Sequence, residues 1–277
     1  DPIDAISMGS KNCFDYYKMG NEFGGIGPGK IADLLILDDY KKIKIDKVFL
    51  GGKLVVSGGK IVPKIISPKL PTWIKNTVKL PKLKPTDFNI HSKNTSEIVN
   101  VISMRTEIVT KKSQNELNVK NSNVLCSFDK DIWKVAALDR TFGSKTKTIG
   151  FLENFGADIG AFASTWSFHE NDMIVIGSNE RDMADAANKL TKSQGGIIVV
   201  KNGKTLANLP FQMGGIISTD SIEKVTKNFE KINATLKDSG CKFQKPHLMP
   251  LFLPFLALPD IRILYNGMVD VKSRQYL

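Results

Sequence analysis

Histidine is scarce in this sequence and badly spaced for metal chemistry. His91, His169 and His247 are the only three in 277 residues, and none falls in an HxH or HExxH pattern that would bring two imidazoles to one ion. Cysteine is equally thin. Cys13, Cys126 and Cys241 are odd in number and far apart, with no CxxC pair. That argues against a zinc knuckle or a disulfide framework and fits a reducing cytoplasm. Long apolar runs are lacking too. The richest, LMPLFLPFLALP over 248–259, carries three prolines and falls short of the roughly 20 residues that a membrane helix needs. No membrane segment is expected. Acidic residues number 28 against 39 lysines and arginines, a net charge of +11. The lysines are spread from Lys11 to Lys272, so a solvated basic surface explains the charge better than a nucleic-acid footprint does, and nucleic acid is not an expected partner.

What is present is globular: 42% hydrophobic and 24% charged residues, enough for a core of normal size. Residues 2–19, with Pro2 near the start and Ile3, Ile6, Phe14 and Tyr17 apolar, read as one helix or as two broken near Gly9–Ser10, stopped by Gly20–Asn21. The chain opens on Asp1 directly into this pattern, so we expect it to be the tail of a longer protein. ADLLILDD is a short strand. KIDKVFLGGKLVVSGGKIV is three β runs joined by Gly51–Gly52 and Gly58–Gly59, pairs suited to tight hairpins. Residues 63–95 hold prolines at 63, 68, 71, 81 and 85 among lysines. They are read as an extended crossing segment or linker, because proline blocks helix interiors and central strands.

A second unit begins near Ser96. NVISMRTEIVTKK and DIWKVAALDR alternate as strands do, and MIVIG (173–177) is a buried strand. Asn179 caps a helix that buries Met183, Ala187 and Leu190, and Gly195 ends it. Asn202–Gly203 turns a hairpin. Ile222, Val225, Phe229, Ile232 and Leu236 line one face of a further helix. Strands and helices mix without a long parallel series, so the class is α+β or mixed α/β.

The stretch FGGIGPGKIADLLILDD (23–39) carries most of a phosphate-loop pattern, Gly24 with Gly29–Lys30. A phosphate loop follows a strand and opens a helix, whereas here the helix comes first. Lys30 is followed by Ile31 rather than Ser or Thr, and Pro28 removes an amide. The loop is a helix-to-strand turn. Read as G-x-I-x-PGK-x-ADL-x-x-LD, and with V-x-x-x-GK a short spacer later, the same stretch resembles the tail of the amidohydrolase superfamily. There this turn joins the last barrel helix to a small β-sandwich. PIDAISMGSKNCFDYY resembles that helix. Further on, WKVAALDRT, GFLENFGADIGAFASTW, NDMIVIGSNERDMADAANKL, GGIIVVKNGK and FLALPDIRIL resemble, in order, the C-terminal domain of adenine deaminases.

The resemblance implies a terminal barrel helix region at 1–22, a β-sandwich segment at 23–66, a linker at 67–95 and the adenine deaminase-type domain at 96–277, with the TIM-type barrel itself missing. It implies hydrolysis of adenine to hypoxanthine and ammonia by a cytoplasmic homo-oligomer acting on a small purine. It also implies a divalent metal, manganese or iron with zinc as an alternative, held upstream by the barrel and not by these residues. This chain alone is expected to be inactive. One departure stands out. Where the family shows a segment like AHDSHN, this chain has SFHENDM, so the two family histidines fall on Phe168 and Asn171 and His169 falls on the aspartate. A related reaction on another purine or a cyclic amide therefore stays open. So does a noncatalytic binding or assembly module.

FHEND (168–172) is the candidate site. His169 and Glu170 are the candidate catalytic pair, and Asn171 is a candidate for substrate binding; the alternative is a polar turn in which Asn171 or Asp172 satisfies loop amides. Asp139 and Arg140 follow an apolar strand and read as a salt-bridged surface strand end, with substrate contact as the alternative. His247 and His91 read as surface residues, and Trp166 as a core residue that could also cover a ring.

Overall fold

The structure is a computed structural model that describes every residue except Ile65, Ser67 and Pro68. It divides into two compact units, Asp1–Lys69 and Leu70–Leu277.

The first unit begins with two short helices, α1 (Pro2–Met8) and α2 (Lys11–Tyr16), broken at Gly9–Ser10 as the composition suggests. Asp1 caps α1 by accepting the amide of Ile3. The strands β1 (Leu34–Asp39), β2 (Lys44–Leu50), β3 (Lys53–Ser57) and β4 (Lys60–Ile61) form an antiparallel meander in chain order. Both glycine pairs turn with positive φ, 53° and 77° at Gly51–Gly52 and 54° and 75° at Gly58–Gly59, the conformation a two-residue hairpin needs. Lys30 does not face a phosphate. Its ammonium is bonded to the carbonyl of Gly20 within the same turn. No described residue of this unit is buried.

The second unit is built on a nine-stranded sheet. Its strands are β5 (Ser96–Met104), β6 (Thr110–Lys120), β7 (Asn123–Val124), β8 (Ile132–Asp139), β9 (Lys147–Glu153), β10 (Ala161–Ser164), β11 (Asp172–Gly177), β12 (Gly196–Lys201) and β13 (Lys204–Pro210). They lie in the order β13-β12-β10-β11-β8-β9-β5-β6-β7. Every pairing is antiparallel except β5 on β9. The class is therefore α+β around one large mixed sheet.

The helices α3 (Glu180–Lys192), α4 (Ile222–Asp238) and α5 (Met249–Phe252) cover the sheet, and a small sheet of β14 (Ile261–Leu264), β15 (Gly267–Asp270) and β16 (Gln275–Tyr276) completes the unit. Both faces of the centre are buried. On β8, Trp133, Val135 and Ala137 join the cluster with α4, α5 and β14, while Ala136 and Leu138 join the cluster with α3. All eight residues of β8 are buried for this reason. Alternation sends successive side chains into two different cores, not into core and water.

Local signals behave as expected. Asn179 Oδ1 accepts the Asp182 amide at 2.9 Å, and Gly195 returns its amide to Leu190. The hairpin residues Asn202 and Gly203 have φ of 53° and 74°. Ser221 caps α4.

Of the two readings of the proline-rich segment, the linker is corrected. The proline-rich segment is no free linker once past Lys69. From Leu70 it is a strap on the second unit, with Val78, Leu83 and Phe88 buried in its core (Pro68 lies outside the described residues). Part of its backbone is satisfied by side-chain amides in place of a strand partner. Gln194 brackets Val78 with bonds of 3.1 and 3.2 Å, and Asn188 brackets Leu83 with two of 2.9 Å. In LMPLFLPFLALP, Met249, Leu251 and Leu253 are buried within the unit.

Candidate functional site

β8 and β11 pair antiparallel, with Asp172 opposite Asp139. The end of one and the start of the other therefore meet at one rim of the sheet, and the FHEND turn stands on that rim. Asn171 takes φ 58°, a left-handed conformation that asparagine tolerates better than most residues. Its amide donates to Ser167 Oγ at 2.8 Å and its Nδ2 donates to the His169 carbonyl at 3.2 Å. The turn is thus pinned from within.

His169 points outward, its side chain 72% exposed, with Nε2 3.3 Å from Glu170 Oε1. The Glu170 side chain is only 2% exposed and accepts the Leu256 amide at 3.4 Å. Phe168 packs on Phe252 and Phe255, the closer ring centroid 4.6 Å away. A carboxylate anchored at its base and set against an exposed imidazole can orient that imidazole and share its proton.

Asp139 and Arg140 are not a surface ion pair. Both are buried and each is held by other groups. Asp139 accepts the amides of Thr141 and Phe142 at 3.0 and 3.1 Å and the hydroxyl of Ser144. Burial pushes its carboxyl up, but these donors outweigh burial and hold it below its ordinary value. Arg140 donates from one Nη to the Gly214 carbonyl and from the other to Asn171 Oδ1, each at 3.2 Å. Burial lowers its guanidinium to about 10, against the pull of Asp172. Arg140 thereby supports the turn, whereas the Asp139 bonds stay within the loop that follows β8.

Asp172 is the group that sequence reasoning undervalued. It is buried, Oδ2 accepts the Tyr265 amide at 3.0 Å, and Oδ1 has no partner. Burial, reinforced by Glu170 and Asp139, raises it to about 7 although the Tyr265 amide and Arg140 oppose the shift. The sequence signal was its place at the first residue of a wholly buried strand.

His247 is corrected as well. It is half-buried, stacked on Trp166 with centroids 6.1 Å apart, and its Nδ1 lies 2.8 Å from Asn233 Oδ1. Trp166 packs against the core with Phe211 and Phe229. His91 is exposed, as read.

Among the described residues no three His, Cys, Asp or Glu side chains are placed to hold a metal ion. At the rim the oxygens of Asp139 are taken up by protein donors and His169 is matched to Glu170, so these residues do not fit a divalent metal. No helix is long and apolar enough to cross a membrane among the described residues.

The sequence profile described as the adenine deaminase C-terminal domain matches residues 107–275. Over its whole length the chain is 53% identical to an adenine deaminase of Cenarchaeum symbiosum, of which it covers 46%. It is 33% identical to an adenine deaminase of Clostridium botulinum, again over the whole chain and 47% of that protein. Identity is also 33% to adenine deaminase 3 of Rhizobium meliloti, over 98% of this chain and 46% of the relative. The chain spans about half the length of the curated relatives it matches.

Proposed function

This chain belongs to the adenine deaminase C-terminal domain family, and from that premise we propose that it is the C-terminal part of a hydrolase converting adenine and water to hypoxanthine and ammonia. The observation that carries the reading is the 53% identity, without loss at either end of the chain, to a protein named for that activity. In this reading a TIM-type barrel precedes Asp1 and holds the divalent metal, manganese or iron with zinc as the alternative. The 277 residues alone are then inactive. The whole enzyme is a cytoplasmic homo-oligomer.

The chain's own contribution is the rim. His169, exposed on a turn whose backbone is fixed, holds or delivers a proton at Nε2 beside the departing amine. Glu170 orients that imidazole. Asn171 supports the turn through Nδ2 and the His169 carbonyl. Supporting this assignment are the exposure of His169, the anchoring of Glu170 and the inward tie through Asn171. In the full product of the reading frame, His169→Ala is expected to lower kcat about 100-fold, the usual worth of a positioned acid or base, with KM little changed. An unchanged kcat would remove the turn from the chemistry.

SFHENDM favours a second reading. Because Phe168 and Asn171 stand where the resemblance places histidines, the substrate is another purine or a cyclic amide. A substrate panel read by ammonia release and by ring opening separates the two.

A further inference from the structure

His169 is held from beneath by groups that the proposed chemistry does not use. Arg140 reaches Asn171 Oδ1, and Asn171 Nδ2 reaches the His169 carbonyl, so a buried guanidinium is two bonds from the candidate catalytic residue. Its other Nη is fixed on Gly214. Gly215 closes over it: a Cβ there would lie 2.7 Å from Nη1, and φ is 73°. Two polar atoms of this cluster remain unpartnered, Arg140 Nε and Asp172 Oδ1, on residues 2% and 1% exposed. A buried polar atom without a partner costs free energy and marks a place where charge or bonding changes.

We propose that Arg140 is the positioning residue of the Phe168–Asp172 turn, and that Asp172 is the proton-holding group that sets how firmly Arg140 grips Asn171. Its bearing on catalysis rests on the deaminase reading; its structural content does not.

The neighbourhood of Asp172 decides which group takes the proton. From the end of β8 comes Asp139, supplied with three donors, and from the residue after it Arg140. From the turn itself come Glu170, bonded to the Leu256 amide, and His169 beside it. From the residue after β14 comes the Tyr265 amide. Arg140 acts on Asp172 through charge alone, and Asp172 has a single donor and is 1% exposed. Burial therefore favours its neutral form, and its carboxyl is raised to about 7. Ionised, Asp172 competes with Asn171 Oδ1 for the guanidinium. Protonated, it leaves Arg140 to Asn171 and the turn is held tightest.

The test is an NMR pH titration of the 277-residue chain. The Asp172 carboxyl carbon and the Asn171 side-chain amide are expected to share a midpoint near 7, about three units above an ordinary aspartate. The amide response is expected to persist in His169→Gln and to vanish in Asp172→Asn and in Arg140→Lys, which keeps the charge but loses the fork. An Asp172 midpoint near 4 overturns the proposal, and so does an Asn171 response that survives Asp172→Asn or Arg140→Lys. If a variant fails to fold, the wild-type carboxyl titration decides alone. No substrate enters the experiment, so its failure is distinguishable from failure of the deaminase assignment, which turnover alone tests.

Discussion

His247 shows how much a single residue's environment changes its chemistry. It sits against Trp166 and Phe229 with Asn233 as its ring partner. Burial, with Lys245 adding repulsion, lowers it to about 4 although Glu107 opposes the shift. The folded value lies below the unfolded one of 6.5, so the unfolded chain binds the extra proton. The stabilisation is therefore present in full above about 6.5 and is lost as pH falls through about 4. Urea unfolding of wild type and His247→Gln at pH 7.5 and pH 4 reads this directly. The wild type is expected to lose about 2 kcal/mol more than the variant over that span, by the usual conversion of shift to free energy discounted for partial exposure. Equal losses contradict it. None of this was legible in KPHLMP, where proline and lysine suggest surface. The partners come from α4 and from Trp166, far away in sequence, and burial of a polar group is decided by partners rather than neighbours. Asp139 and Arg140 misled in the same way, since an adjacent acid and base look like a pair until Ser144, Gly214 and Asn171 are seen to claim them.

The elements that were legible are those specified locally. The glycine-pair hairpins, the Asn202–Gly203 turn and the Asn179 cap each depend on residues within one turn of each other, and the apolar face of α4 follows from its helical spacing except at Ile222, which is exposed. The strap from Leu70 was not legible as core. Proline kept α-helix and sheet out of it, leaving two short 3-10 turns at Thr72–Lys75 and Pro85–Phe88, and the chain satisfies part of its backbone with Gln194 and Asn188 from the α3 end. Lys134 on β8 ties the strap further. Its ammonium meets the Phe88 carbonyl at 3.1 Å, Asn123 Oδ1 at 2.9 Å and Glu180 at 2.6 Å. The lysine side chain is 1% exposed and that of Glu180 25%. Removing the acid strands a buried cation, whereas removing the base leaves an acid that water can reach. Glu180→Ala is therefore expected to cost about 3 kcal/mol and Lys134→Met less, measured by chemical denaturation at pH 7. The reverse order contradicts the assignment.

At the scale of the whole molecule the two units differ in kind. Asp1–Lys69 has no buried residue among those described and exposes Leu35, Ile36, Leu50 and Ile61, whereas Leu70–Leu277 encloses two large apolar clusters. A unit without a core gains little from burial and opens readily. Limited proteolysis of the chain is expected to remove the first unit and to leave a resistant fragment beginning near Leu70. Cleavage within the strap, between Val78 and Phe88, contradicts the fold as described. The family was legible because ordered motifs run from the glycine turn to FLALPDIRIL, and the matches to adenine deaminases bear that resemblance out. The rim's arrangement was not, because it is assembled from β8, β11, the 214–215 loop and the residue after β14.

The most direct measurement is ammonia release from adenine with added Mn²⁺, by this 277-residue chain and by the full product of its reading frame. Release by the longer protein alone is the predicted result. Release by the short chain, or none from the longer one, contradicts the account.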